Sequence, residues 1–178
     1  MKTSNPKEQF LSVMKNCKFG VFRDGTRFEK IEEIFSEVCK IERPEEGDMA
    51  VYLDGFDIFF GKESLIGISS VKAHFRNHEG ALACRKVANL SWLDWLSGQN
   101  FDETKRILLE SNLIFRTLRY TDDSYGILSN KGNSSLLILF DESKVIQSVY
   151  NNFFRMVSYT ILKSLESHNL DYSEPVIT

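Results

Sequence analysis

Cysteine is scarce in this 178-residue chain: Cys17, Cys39 and Cys84 are the whole complement, and no two of them stand as C-x-x-C. That spacing offers neither a disulfide framework nor a cysteine-built zinc site, so reduced, mostly buried thiols in a cytoplasmic protein are expected. Long apolar runs are missing too. No stretch nears the ~18 apolar residues of a membrane span, and Met1-Lys2-Thr3-Ser4-Asn5-Pro6 lacks the apolar core of a signal peptide. G-x-S-x-G, the P-loop, the Rossmann glycines and H-E-x-x-H are all absent. Gly61-Lys62-Glu63-Ser64 holds a Gly-Lys pair without the glycine-rich loop that cradles phosphate. No catalytic residue, cofactor or metal is assigned, and the chain reads as a non-enzyme.

Aromatic residues, by contrast, are plentiful. Fourteen Phe, six Tyr and two Trp, in a chain that is 42% hydrophobic, are far more than a disordered sequence carries. The formal net charge of −3 hides an uneven distribution. Residues 1–27 net +4, residues 28–57 net −7 and the remainder balances. An acidic chain with no basic stripe is poorly built to hold phosphate backbones, so no nucleic-acid partner is expected. The acidic stretch suits a basic protein partner, or serves only as a solvated face.

Local patterns place the elements. Asn5 and Pro6 open a helix to Lys18 that carries Phe10, Val13, Met14 and Cys17 at helical spacing. Phe19 to Gly25 is a short extended piece ending in an Asp-Gly turn. Thr26 and Glu29 form a capping box for a second helix, with Phe28, Ile31, Ile34, Phe35 and Val38 as its apolar stripe and the glutamates mostly opposite. Ala50–Leu53, the turn Asp54-Gly55 and Phe56–Phe60 make a β-hairpin, followed by a strand from Leu65 that runs toward Phe75. Leu90–Leu96 and Glu103–Ser111 are helices, the second capped by Asp102. Leu113–Tyr120, Tyr125–Leu128, Leu136–Phe140 and Val145–Tyr150 are strands, and Phe153–Leu165 is a closing helix.

The order of elements repeats. An offset of 80 lays Phe56–Phe60 over Leu136–Phe140, and Leu65-Ile66 over Val145-Ile146. Upstream, Phe28, Ile31, Ile34 and Phe35 match Phe101, Thr104, Ile107 and Leu108. The expected fold is α+β: tandem helix–helix–three-strand units forming an antiparallel sheet covered by helices. Residues 1–178 are taken as a single domain built from two repeated units, 1–80 and 88–165, with 171–178 as a loose tail.

The run Phe19-Gly20-x-Phe22-x-x-Gly25-Thr26, with Ile31, Ile34 and Phe35 after it, resembles the opening of a group of small bacterial proteins. In that group a glycine-threonine or glycine-serine turn starts a helix that leads into a hydrophobic three-strand meander. Gly55–Phe60 with Leu65–Ile68 is similar to the meander itself. The group is the immunity proteins of contact-dependent growth inhibition and polymorphic toxin systems. The tandem arrangement is also similar to the β-lactamase inhibitory protein. The resemblance covers residues 19–68 and, less closely, 101–150, where the second half lacks the glycine-threonine turn. It implies a protein that binds the C-terminal domain of a cognate toxin and blocks its active site or substrate groove. Many such toxins are nucleases with basic grooves.

The residues assigned to that contact are Glu29, Glu33, Glu37, Glu42, Glu45, Glu46 and Asp48, which would mimic phosphate charge, and Trp95. In Trp92-Leu93-Asp94-Trp95-Leu96, helical spacing buries Trp92 with Leu96 and leaves Trp95 half covered, a natural anchor or the cover of a sheet edge. His74-x-x-x-His78 straddles a strand end and a turn, where the geometry of a metal pair is not assured, so both histidines read as exposed loop residues. Asp122-Asp123 and Glu45-Glu46 read as turns. The alternative function is a small-molecule-binding protein or small enzyme with a pocket between helices and sheet. A third is a structural module that self-associates. No membrane partner is expected, and the oligomeric state is left open.

Overall fold

Along Phe56–Phe60, Phe56, Ile58 and Phe60 are buried while Asp57 and Phe59 stay partly exposed. A strand with that alternation must turn one face to a core, and the chain builds a sheet from such strands. The computed structural model describes residues 5–42, 50–60, 67–75, 79–120 and 122–153. Its elements are α1 (Pro6–Asn16), α2 (Phe28–Phe35), β1 (Ile41–Glu42), β2 (Ala50–Leu53), β3 (Phe56–Phe60), β4 (Ile68–His74), α3 (Glu79–Val87), α4 (Trp92–Leu96), α5 (Phe101–Glu110), β5 (Arg116–Arg119), β6 (Tyr125–Lys131), β7 (Ser134–Phe140) and β8 (Ile146–Asn152).

The strands form one eight-stranded antiparallel sheet in the order β1-β2-β3-β4-β8-β7-β6-β5. Two meanders thus meet at β4 and β8. The fold is α+β, as expected. In place of two helices and three strands, the described residues of the first half hold two helices and four strands and those of the second three helices and four strands. The edge strands are short, which limits stray pairing: β1 of two residues, which was not anticipated, and β5 of four, which falls within the expected strand Leu113–Tyr120.

Ladder partners define the two faces. Leu53, Phe56, Ala73, Val149, Ile138 and Ile127 stand opposite one another across six strands, and all are buried. They belong to one apolar cluster with Phe10 and Met14 of α1, Ile31 and Phe35 of α2, Cys84 of α3, Trp92 of α4 and Leu108 of α5. Each such buried large side chain stabilises the fold by roughly 1.5–3 kcal/mol. The neighbouring row, Glu42, Tyr52, Asp57, Lys72, Tyr150, Leu137 and Leu128, lies on the other face.

The same details recur in both halves. Register shifts fall between Phe59 and Phe60 in the β3–β4 pair and between Leu139 and Phe140 in the β7–β8 pair. Phe60 then stands opposite Ile68, and Phe140 opposite Ile146.

Several local expectations need correction. Arg27, not Thr26, is the N-cap of α2, and it makes no side-chain capping bond. Asn100, not Asp102, caps α5 by accepting from the Glu103 N–H, while Asp102 pairs with Lys144 at 2.7 Å. α2 ends at Phe35, so Val38 falls beyond the buried stripe and is exposed. The stretch Phe19–Gly25 forms turns around buried Phe19 and Phe22, not a strand. The helix α3 was not anticipated.

The cysteine expectation fails at one pair: Cys39 and Cys84 are joined by a disulfide with Cα atoms 5.8 Å apart, and only Cys17 remains a free, buried thiol. The two bonded residues are 45 positions apart in sequence, and the packing of α2 against α3 is what brings them together. The acidic loop with Glu45, Glu46 and Asp48, the histidine His78, the strand start Leu65-Ile66, the closing helix beyond Phe153 and the tail 171–178 lie outside the described residues.

Candidate functional site

α2 is amphipathic. Ile31 and Phe35 enter the core, which turns Glu29 and Glu33 outward, and Glu37 follows on the exposed segment after the helix. Glu42 is exposed on β1. Two lysines of the same segment answer this charge, Lys30 to Glu33 at 2.8 Å and Lys40 to Glu42 at 2.9 Å. All four side chains are more than half exposed, and solvent screening leaves such pairs adding little to stability. The Glu42 carboxylate holds the Lys40 ammonium above its ordinary pKa. These carboxylates are therefore held at the surface by weak contacts, not drawn into the protein.

Apolar groups border them. Val38, Tyr52 and Leu82 are exposed by 40%, 44% and 43%. Val38 precedes the bonded Cys39, Leu82 lies on α3 two residues before Cys84, and Tyr52 stands opposite Glu42 in the ladder. In this α2–β1 corner Val38 thus adjoins Glu37 in the chain and Tyr52 adjoins Glu42 across the ladder on the outer sheet face, while Leu82 lies on the helix that the Cys39–Cys84 link ties to Cys39. Sequence reasoning missed the apolar members. The alternation in Ala50–Leu53 could have revealed Tyr52, since Val51 and Leu53 face the core and Tyr52 must face away.

A cleft of about 370 Å³ opens in this corner, lined by Lys40, Glu42, Tyr52, Leu53, Asp54, Gly55, Asp57 and His74. Asp54 accepts from the Lys40 backbone N–H at 3.3 Å, and His74 Nε2 meets Asp57 Oδ2 at 2.6 Å. His74 is thus part of β4 and bound to β3, not a free loop histidine. Among the described residues no group of three His, Cys, Asp or Glu side chains is placed to hold a metal ion. Cys17 is held as a thiol, because burial pushes its pKa up, and this opposes a nucleophilic role.

Trp95 stands apart from the acidic corner. It is half-buried in the contact of α1 with α4, its ring 5.6 Å from that of Phe10. Trp92 and Leu96 are buried beside it. Glu45, Glu46 and Asp48 lie outside the described residues, between β1 and β2 in the sequence.

Comparison with protein-family models, with curated proteins and with solved structures finds no match to this chain. No helix among the described residues is long and apolar enough to cross a membrane.

Proposed function

We propose that this chain is an immunity-type inhibitor, which binds the C-terminal domain of a cognate bacterial toxin and occludes its active site or substrate groove. The observation that carries this reading is the α2–β1 segment, where Glu29, Glu33, Glu37 and Glu42 are all exposed, with exposed Val38 next to Glu37 in the chain and exposed Tyr52 opposite Glu42 in the ladder. Exposed apolar side chains beside charged ones are common in protein interfaces, and the sign of this charge suits a basic nuclease groove. The undescribed Glu45, Glu46 and Asp48 extend the same charge along the sequence. Binding takes place in the cytoplasm, where such a toxin would act. Trp95 serves as a secondary anchor.

The tandem organisation belongs to this proposal. The two hairpins with matching register shifts are read as copies of one unit, whose edge-to-edge union makes a rigid platform. A pre-shaped platform suits inhibition by occlusion, since little ordering cost is left to binding.

Co-expression with the toxin domain encoded beside this chain tests the reading. Growth should be rescued by the natural chain. A variant with Glu29, Glu33, Glu37 and Glu42 all changed to Lys should associate more slowly, with a flatter salt dependence, while remaining folded. Absence of any complex with the neighbouring toxin would end the inhibitor reading. Unchanged association kinetics would remove the charge-mimicry part alone.

A further inference from the structure

The two faces of the sheet are covered differently. All five described helices contribute to the apolar cluster that holds Phe56, Ile138 and Val149 on one face. On the other, Leu118, Leu128 and Leu137 form a second cluster with Tyr120, Leu139 and Tyr150 packed against it. No residue of a described helix belongs to that second cluster, yet each of the three leucines is only 4% exposed. Ser135 and Asn152, ladder partners on the same face, are 1% and 2% exposed. An antiparallel sheet with one face uncovered leaves that face in water. The first half shows this: Tyr52, in one ladder row with Leu137 and Leu128, is 44% exposed. The β5–β8 part of the face therefore has a cover that the described helices do not supply.

The position of the chain after β8 says what the cover is. Phe153 N–H donates to the Ser69 carbonyl at 3.0 Å, which fixes the exit beside β4, next to buried Asn152. Residues 154–178 follow from that point. At helical spacing, Phe154, Val157, Ile161 and Leu165 share one stripe, with Lys163 opposite. From Asn152, Leu118 lies three strands across and four residues along, about 20 Å on standard sheet spacings. Twelve helical residues span about 18 Å before the reach of their side chains. Residues 43–49 and 61–66 join strands of the other half, and 1–4 are mostly polar.

We propose that residues 154–165 of this chain return across the outer face of β5–β8 and close over Leu118, Leu128 and Leu137. The apolar stripe and the apolar cluster then bury each other, which neither does alone. The outer face is thereby divided. Its β5–β8 part is occupied by the chain itself, and the part around Tyr52 and Asp57 stays open. The contact forms within one free chain, so it stands or falls separately from the toxin reading.

The full chain with ¹³C-labelled Ile, Leu and Val methyls reads the contact without any substitution. NOEs from the Val157, Ile161 and Leu165 methyls to those of Leu118, Leu128 and Leu137 are expected, and they persist on dilution. Mixing labelled with unlabelled chains separates them from contacts between copies. Ile161→Asp with Leu165→Asp should abolish these NOEs and raise the fluorescence of a hydrophobic dye several-fold. The inner-face NOE between the ladder partners Ile138 and Val149 should remain. Absence of the expected NOEs in the unsubstituted chain would overturn the proposal. So would NOEs found only between copies, which would make a second chain the cover. Leucine methyls without these NOEs that shift on adding a toxin domain would give the face to a partner, and an unchanged dye signal in the double variant would also count against the proposal.

Discussion

Phe101, the first residue of α5, stands edge-on to Phe140, the last residue of β7, with ring centroids 5.4 Å apart and planes at 84°. The first half holds its counterpart: Phe28 opens α2 and meets Phe60, which closes β3, at 6.5 Å and 74°. In each half one ring pair pins a helix start to a strand end, next to the register shift. Edge-to-face pairs couple by about 0.5–1.5 kcal/mol beyond their burial. Double-mutant cycles on Phe28/Phe60 and on Phe101/Phe140, each residue changed to Leu, should return coupling of that size and the same sign. Urea unfolding supplies the free energies. A cycle with no coupling in one half would show that the two pairs do not play equivalent parts.

The Arg85 guanidinium is wholly buried, yet it bonds Asp94 Oδ1 at 2.6 Å and the His74 carbonyl at 2.7 Å, so one side chain ties α3 to α4 and to the end of β4. Arg85→Ala removes those bonds and leaves a void, at a cost of about 3 kcal/mol or more. Asp94→Ala leaves that buried guanidinium without its counter-charge, but Asp94 is 41% exposed, so water fills part of the gap and the loss, about 2 kcal/mol, is the smaller of the two. Chemical denaturation should rank the two variants in that order. An Asp94 variant as damaged as the Arg85 variant would contradict the account.

The parts of the fold legible in the sequence are those fixed by local rules. Asp54-Gly55 sits between alternating runs, and Gly55, at φ +84°, makes the tight turn of the β2–β3 hairpin. Asn5 and Pro6 open α1, and the Asn5 side chain accepts from Lys7 N–H at 3.0 Å. α3 escaped notice because its buried positions, Ala81, Cys84 and Arg85, include two small residues and a cation, a weak apolar stripe. Its spacing of three and its charged ends, Glu79 first and Arg85-Lys86 last, were the available signal. The Cys39–Cys84 link depends on how α2 packs on α3, and no spacing rule encodes that. Of the candidate contact residues, the glutamates of α2 were readable because Ile31 and Phe35 fix which side faces out. The exposed Val38 and Leu82 depend on where α2 ends and on the unforeseen α3.

The disulfide has a direct chemical check. Unfolded in denaturant without reductant, purified protein should take up one equivalent of alkylating reagent, at Cys17, and three after reduction. Chain-entropy arguments for a cross-link across 45 positions give about 4 kcal/mol of stabilisation, which Cys39→Ala with Cys84→Ala should remove in large part. Three reactive thiols before reduction would mean that the pair is open in the isolated protein.

Tyr120 adds to the loss of stability at alkaline pH. Burial, with Tyr150 and Asp122 adding to it, holds its phenol well above the ordinary value of 10.0. The folded state therefore keeps the proton that the unfolded chain releases near pH 10. Stability from this group is complete below that pH and is lost as pH rises above it toward the folded-state value. Tyr120→Phe has no proton to lose. Its urea midpoint should match the natural chain's at pH 8 and exceed it increasingly above about pH 10. The buried Cys17 thiol is shared by both proteins and drops out of the difference. Parallel pH profiles for the two would place the phenol in water.

The end of α1 is anchored by polar groups inside the core. Ser129 Oγ donates to the Met14 carbonyl at 2.7 Å, and Asn151 Nδ2 donates to the Cys17 carbonyl at 3.2 Å and to the Ser135 carbonyl at 3.1 Å. Cys17 lies in the left-handed region at φ 49°, so the helix stops there and its free carbonyls need donors from β6 and β8. Ser129→Ala strands one buried carbonyl and should cost about 1–2 kcal/mol, and Asn151→Ala, which strands two, should cost more. Hydrogen exchange sharpens the test, because loss of these anchors should speed exchange in the last turn of α1 before that of β3. Uniform acceleration across the molecule would mean that the anchors serve global stability without holding α1 in particular.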